Sequence, residues 1–227
     1  VIALISDIKS FFSLFLKGAL GLFCLTCMIF STQLYAAPIL ILGDSLSASY
    51  GVDEDKGWVN LLREKLPHHQ IVNGSVSGET TAGGLRRLPA LLDSTSPSVI
   101  FVELGGNDGL RGFSPVQLKE NLTKIITLAK QANVKVLLSE VMVPPNYGAR
   151  YATMFEGVYR ELAVEHDVIL MPFFMKEIAI HPELMQRDGI HPNTKAQAQI
   201  AEFMLPWMNQ VIETVSLASE NKLDLKK

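Results

Sequence analysis

Residues 38–51 read PILILGDSLSASYG. The run Pro38-Ile39-Leu40-Ile41-Leu42 is apolar throughout and breaks at Gly43-Asp44, as a buried strand does where it surfaces into a turn. Ser45 stands three residues past the run. A serine at such a point has two readings, a hydroxyl that caps a turn or helix start, or a nucleophile carried at a strand end. The stretch alone leaves both open.

Similar runs rich in β-branched residues recur at 70–73, 98–103, 134–141 and 168–172, with stretches of helical spacing between them. Trp58, Leu61, Leu62 and Leu66 form one apolar face ahead of Pro67, and Leu118, Leu122, Ile125, Ile126 and Ala129 share one side of 116–130. Ile200, Phe203, Met204, Trp207 and Val211 predict a last helix, with a kink expected at Pro206. Strands alternating with helices specify an α/β fold with a parallel sheet, which binds ligands beyond the carboxyl ends of its strands. No repeat or linker interrupts the pattern, so 38–212 is expected as one domain. The segment 213–227, which loses apolar periodicity from Ser216 onward, is expected as a frayed tail.

Residues 1–37 have a different character. Lys9 and Lys17 lead into an apolar stretch at 18–30, and Tyr35-Ala36-Ala37 follows with small residues, the layout of a secretory signal peptide. The apolar stretch is shorter than the roughly 20 residues a membrane span needs. Export to the periplasm or the exterior is therefore expected, with cleavage after Ala36 or Ala37 and no lasting membrane anchor. Both cysteines, Cys24 and Cys27, fall inside this segment, so the mature chain would have no disulfide, thiolate metal site or cysteine nucleophile. Without residues 1–36 the chain keeps 191 residues with 18 basic and 22 acidic side chains, a net charge of −4. That is one domain's worth of core, and its charge argues against a nucleic-acid partner.

Four stretches concentrate the chemistry: Gly43-Asp44-Ser45-Leu46, Ser77-Gly78-Glu79-Thr80, Gly105-Gly106-Asn107-Asp108 and Asp188-Gly189-Ile190-His191-Pro192. The first three follow the first three expected strands, and the fourth precedes the last helix. A hydroxyl attacks a carbonyl poorly until a base takes its proton; His191 is the candidate base for Ser45, with Asp188 fixing its tautomer. The order Ser, Asp, His along the chain is that of other α/β hydrolases. The N–H of Ser45, the N–H of Gly78 and the side-chain amide of Asn107 are candidate donors for an oxyanion hole. Taken singly, each of these residues is an ordinary turn or cap residue; their joint occurrence is what points to acyl transfer. Asp44 has no chemical role in this reading and is expected in a structural hydrogen bond.

With those residues in view, the chain resembles the SGNH hydrolases of the GDSL type. Ser45, Gly78, Asn107 and His191 match the four signature residues in order, separated by 33, 29 and 84 positions, and Asp188 takes the D-x-x-H place. The stretches LILGDSLSASYG, VELGGNDGLRGF, PPNYGARY and DGIHPN are similar to the periplasmic thioesterase, lysophospholipase and arylesterase subgroup, over residues 38–212. The resemblance implies a flavodoxin-like three-layer α/β/α sandwich with a five-stranded parallel sheet. It also implies a serine esterase acting on carboxylic esters and thioesters through an acyl-serine, with neither metal nor organic cofactor. The loop written here as 143–148 is similar to one that moves on acyl binding in that subgroup.

Leu46, Leu110, Phe113, Pro144, Pro145, Tyr147 and Ile190 are candidate substrate-binding residues, since an apolar crevice beside oxyanion donors suits a fatty-acyl or aromatic ester. Arg111 and Arg150 are candidates to meet a phosphate head group, or simply solvated cations. The expected partner is a small ester or lipid, taken by a monomer. Two other functions use the same pattern: a carbohydrate acetylesterase on the same scaffold, and an exported protein that holds an acyl chain without cleaving it. The adjacent His68 and His69 have diverging side chains and no framing carboxylates, so no metal site is expected.

Overall fold

The five apolar runs become five strands: β1 (Ile39–Gly43), β2 (Ile71–Asn73), β3 (Val99–Glu103), β4 (Lys135–Ser139) and β5 (Ile169–Met171). This is a computed structural model, and it describes residues 37–224. The expected signal segment, apart from Ala37, lies outside the described residues. All strand pairs are parallel, in the order β2-β1-β3-β4-β5. The strands match the predicted runs with ends trimmed by one or two residues, except that β1 takes in Gly43 beyond its run.

Six helices connect and cover the sheet: α1 (Trp58–Lys65), α2 (Thr81–Thr95), α3 (Gly106–Leu110), α4 (Pro115–Gln131), α5 (Ala149–His166) and α6 (Gln197–Asp224). Successive strand residues point to opposite faces, so one buried run serves two cores. Ile39, Ile41, Val99, Phe101 and Leu137 pack with Trp58 and Leu62 of α1 and with Ile200, Met204, Met208 and Val211 of α6. Leu40, Leu42, Ile100, Val102 and Leu138 pack on the other side with Leu88 of α2, Leu122 and Ile125 of α4, and Phe155 and Leu162 of α5. Helices on both faces explain why the strands read as continuous apolar runs, and together they make the three-layer α/β/α sandwich.

The order places a switch at β1 and β3. From β1 the chain leaves to β2 on one side and returns to β3 on the other, so the loops after β1 and β3 diverge across a crevice at the carboxyl edge. Gly43 lies beside Glu103 in the ladder, which sets the residues that follow each of them next to one another.

One expectation changes. The segment 213–227 is not a tail as far as it is described: α6 runs on to Asp224. Val211 and Ile212 are buried, Val215 packs against the same core, and the residues beyond include good helix formers such as Ala218, Glu220 and Lys222. Pro206 lies inside this helix, as the sequence reading placed it. Helix α2 begins where Thr80, as N-cap, accepts the Gly83 N–H at 3.2 Å. Thr80→Ala should therefore lower stability by about 1 kcal/mol in urea unfolding; an unchanged midpoint would show that the cap contributes nothing. Among the described residues no helix is long and apolar enough to cross a membrane.

Candidate active site

Strand β1 ends at Gly43, where a side chain has no room: a Cβ would fall 2.7 Å from Ser47 Oγ and 2.8 Å from Glu103 Oε2. The close crossing turns the chain so that Asp44 goes inward and Ser45 reaches the carboxyl edge. Asp44 is buried, its Oδ1 accepting the Leu46 N–H at 3.0 Å and its Oδ2 accepting from Asn107 Nδ2 at 3.0 Å. Burial above all raises its carboxyl to about 6, opposed by the Leu46 and Asn107 bonds and by the charge of His191.

His191 arrives from the segment before α6. Its Nε2 lies 2.9 Å from Ser45 Oγ and its Nδ1 lies 2.7 Å from Asp188 Oδ2. The second oxygen of Asp188 accepts the N–H groups of Ile190 (2.9 Å) and His191 (3.0 Å), so one carboxylate fixes both the ring and the backbone of the histidine. Gly189, at φ +68°, permits that tight turn. Burial works against ionisation of Asp188, but the bonds from the His191 ring and the two amides outweigh it and hold the carboxyl at about 2. With Nδ1–H donated to Asp188, Nε2 is left as an acceptor for the Ser45 hydroxyl.

The remaining predicted donors follow β2 and β3. Gly78 sits at φ +78° after β2, and Asn107 lies in α3 just after β3. Among the described residues the N–H groups of Ser45 and Gly78 have no acceptor within the chain. One N–H of Asn107 is given to Asp44, which leaves the other to point elsewhere. The Gly78 loop is tied down on both sides: Arg111 donates to the Gly78 carbonyl at 3.2 Å, and Glu79 pairs with Arg87 at 2.7 Å. One N–H of Arg111 is thus engaged with backbone. Behind Asn107, buried Asp108 accepts the N–H and the hydroxyl of Thr81, joining α3 to the start of α2.

The predicted apolar lining is divided. Leu46 is half-buried and packs on the core, its carbonyl accepting the Trp58 indole N–H at 2.9 Å. Phe113 and Ile190 are exposed at 43% and 44%, on separate loops. Tyr147 donates its hydroxyl to the Leu110 carbonyl at 2.6 Å and Tyr151 to the Phe113 carbonyl at 2.7 Å, so the chain around α5's start is strapped to the chain around 110–113. Tyr147, Tyr151, Arg150, Met154 and Pro115 line a hollow of about 540 Å³ there. Pro144 is half-buried, and the side chain of Pro145 lies outside the described part of the structure.

Three residues of this neighbourhood escaped the sequence reading. Glu103, the last residue of β3, is fully buried: its Oε2 accepts the Ser47 hydroxyl at 2.8 Å and the Asp44 N–H at 3.3 Å, while Oε1 has no partner among the described residues. Burial, with the charge of Asp44 beside it, pushes this carboxyl well above the usual range. The lone acid closing the run Val-Ile-Phe-Val-Glu was the available signal. Tyr50 and Gln186 are the other two, and nothing in their local sequence marked them.

The arrangement can pass a proton from a hydroxyl to an imidazole held by a carboxylate, with the Asn107 amide bonded to Asp44 next to that hydroxyl in the chain. The sequence profile of the GDSL-like lipase/acylhydrolase family matches residues 41–199. The chain is 48% identical over 170 residues to an arylesterase of Vibrio mimicus, covering 73% of this chain and 85% of that protein. It is 47% identical over 178 residues to the thioesterase 1/protease 1/lysophospholipase L1 of Escherichia coli, covering 78% and 86%. The psychrotrophic esterase EstA of a Pseudoalteromonas species, solved in a form inhibited by monoethylphosphonate, superimposes with a TM-score of 0.75 at 43% identity, covering 77% of this chain and 97% of that one.

Proposed function

The chain belongs to the GDSL-like lipase/acylhydrolase family and is a hydrolase of that family, and from that premise we propose that it is a serine esterase with Ser45, His191 and Asp188 as its triad. The observation that carries this reading is the chain of two short contacts, Ser45 Oγ to His191 Nε2 and His191 Nδ1 to Asp188. In the first half-reaction Ser45 Oγ bonds to the acyl carbon as its proton passes to His191. The carbonyl electrons move onto oxygen, where the N–H groups of Ser45 and Gly78 and the amide of Asn107 receive the charge. His191 then gives the proton to the departing alcohol or thiol. Water repeats the sequence on the acyl-serine and frees the acid.

The substrates that fit are aryl esters, lysophospholipids and acyl thioesters, the classes named for its relatives. The support within the chain is apolar: Leu110 ends α3 and Phe113 follows it, Pro144, Pro145 and Tyr147 precede α5, and Ile190 neighbours His191 in the sequence. Export by the segment 1–37, with removal of that segment, is part of the proposal. An exported enzyme meets esters and lysophospholipids more readily than the cytoplasmic acyl thioesters, which sets their order as natural substrates.

A fluorophosphonate probe should label the purified protein at Ser45, located by mass spectrometry of the peptide containing it. Turnover of p-nitrophenyl esters should rise from acetyl to octanoyl. Absence of labelling would leave a protein that binds acyl chains without cleaving them, and a preference for acetyl would favour an acetylesterase acting on carbohydrate.

A further inference from the structure

We propose that Tyr50 and Gln186 are positioning residues that brace His191, and that the ring of Tyr50 favours the imidazolium formed when Ser45 gives up its proton. The proposal rests on the triad reading above. Two edges of the His191 ring are occupied, Nδ1 by Asp188 and Nε2 by Ser45. Tyr50 takes a third side, its ring centroid 4.4 Å from that of the imidazole and the planes inclined by 40°. The tyrosine is 51% exposed, so filling the core does not account for its position.

The backbone under Tyr50 is arranged to keep it there. It follows Ser49 at φ +57° and precedes Gly51 at φ +72°, and its N–H donates to the carbonyl of Ser45 itself at 3.3 Å. Gln186 then joins this turn to the histidine loop. Its Nε2 donates to the Tyr50 carbonyl at 2.7 Å and to the Pro192 carbonyl at 3.0 Å, and its own N–H donates to the His191 carbonyl at 2.8 Å. Gly51 makes the approach possible, since a Cβ there would fall 2.3 Å from Gln186 Oε1. One neutral amide therefore ties together the segments that carry the attacking and proton-accepting atoms, which lie 146 residues apart.

The chemistry follows from what faces the ring. Among the described residues, the charged groups facing His191 include Asp188 at its Nδ1 and Asp44 in the nucleophile turn, beside its contacts with Ser45, Tyr50 and Gln186. An aromatic π system attracts a cation more strongly than it does the same ring when neutral. Tyr50 therefore acts on the state in which the Oγ–carbon bond is forming and the proton has reached Nε2, and adds less in the resting enzyme.

The test compares Tyr50→Leu with Tyr50→Phe in the full enzyme. The leucine variant should lose about three- to fivefold in kcat with KM nearly unchanged, and the acid limb of its kcat/KM profile should move down by about half a pH unit, because the imidazolium has lost a partner. The phenylalanine variant should keep parent values. Asp44, raised to about 6 by burial, contributes to the profile of both variants alike, so the difference between them reports Tyr50. Gln186→Leu should lower kcat without moving that limb, since it loosens the ring and removes no charge partner. An acid limb that stays or moves up in Tyr50→Leu, or a phenylalanine variant as impaired as the leucine one, overturns the proposal. Fluorophosphonate labelling of the parent at Ser45 separates this failure from failure of the triad reading.

Discussion

Ser45→Ala is expected to lower ester turnover by about 10⁵- to 10⁶-fold while leaving the melting temperature unchanged within about a degree. The size follows from the mechanism, because without Oγ no acyl-serine forms and the remaining groups can only polarise a bound ester toward water. Stability should hold because, among the described residues, the hydroxyl's one side-chain bond is to His191, at the carboxyl edge of the sheet and outside both cores. His191→Ala should fall nearly as far, and the double variant hardly further, since the two act as one unit. Asp188→Ala should cost less than either, as the ring would keep its contact with Ser45 but lose the carboxylate that fixes its tautomer and its backbone. The measurement is p-nitrophenyl butyrate hydrolysis by each purified variant beside its thermal unfolding curve. A Ser45→Ala protein that kept more than about a hundredth of the parent rate would remove the serine from the mechanism.

The parts of the fold that were legible in the sequence are those fixed by burial on two faces. Runs such as Ile39–Leu42 and Val99–Val102 read as strands because α1 and α6 cover one side and α2, α4 and α5 the other, leaving no polar alternation to blur them. Ser45 and Asn107 could be placed at one edge for the same reason, since each follows such a run closely. Helix α2 was obscured by Gly83, Gly84 and Pro89 within it, and α6 was read short because its last turns carry polar residues that gain helix from continuity with the buried ones. Glu103, Tyr50 and Gln186 were illegible in another way: their meaning lies in what they touch across the chain, Asp44 and Ser47 for the first, His191 for the others. Asp44 fell between the two cases, expected in a structural hydrogen bond but given its consequence only by the partner, Asn107, 63 residues away.

That bond is the ground for the second large effect. Asn107→Ala should lower kcat by about 10²- to 10³-fold with a much smaller change in KM, because its amide meets an oxygen that carries charge only in the transition state. The amide is preorganised from behind: one of its N–H groups is fixed on Asp44 Oδ2, which orients the other, and Gly106 lets the approach occur, since a Cβ there would lie 3.0 Å from that same oxygen. Asp44 in turn needs two accepting oxygens, one for Asn107 and one for the Leu46 N–H. An asparagine offers one, and its NH2 would face a donor at the other position, so Asp44→Asn should lose roughly tenfold in kcat with the hydroxyl of Ser45 intact. Because Asp44 acts on the oxyanion through Asn107, the two losses should not add: Asp44→Asn combined with Asn107→Ala should be little slower than Asn107→Ala alone. Fully multiplicative losses would mean that Asp44 serves the reaction by another route, through the Ser45 turn. An Asn107→Ala variant whose KM rises while kcat holds would assign the amide to ground-state binding in place of the oxyanion.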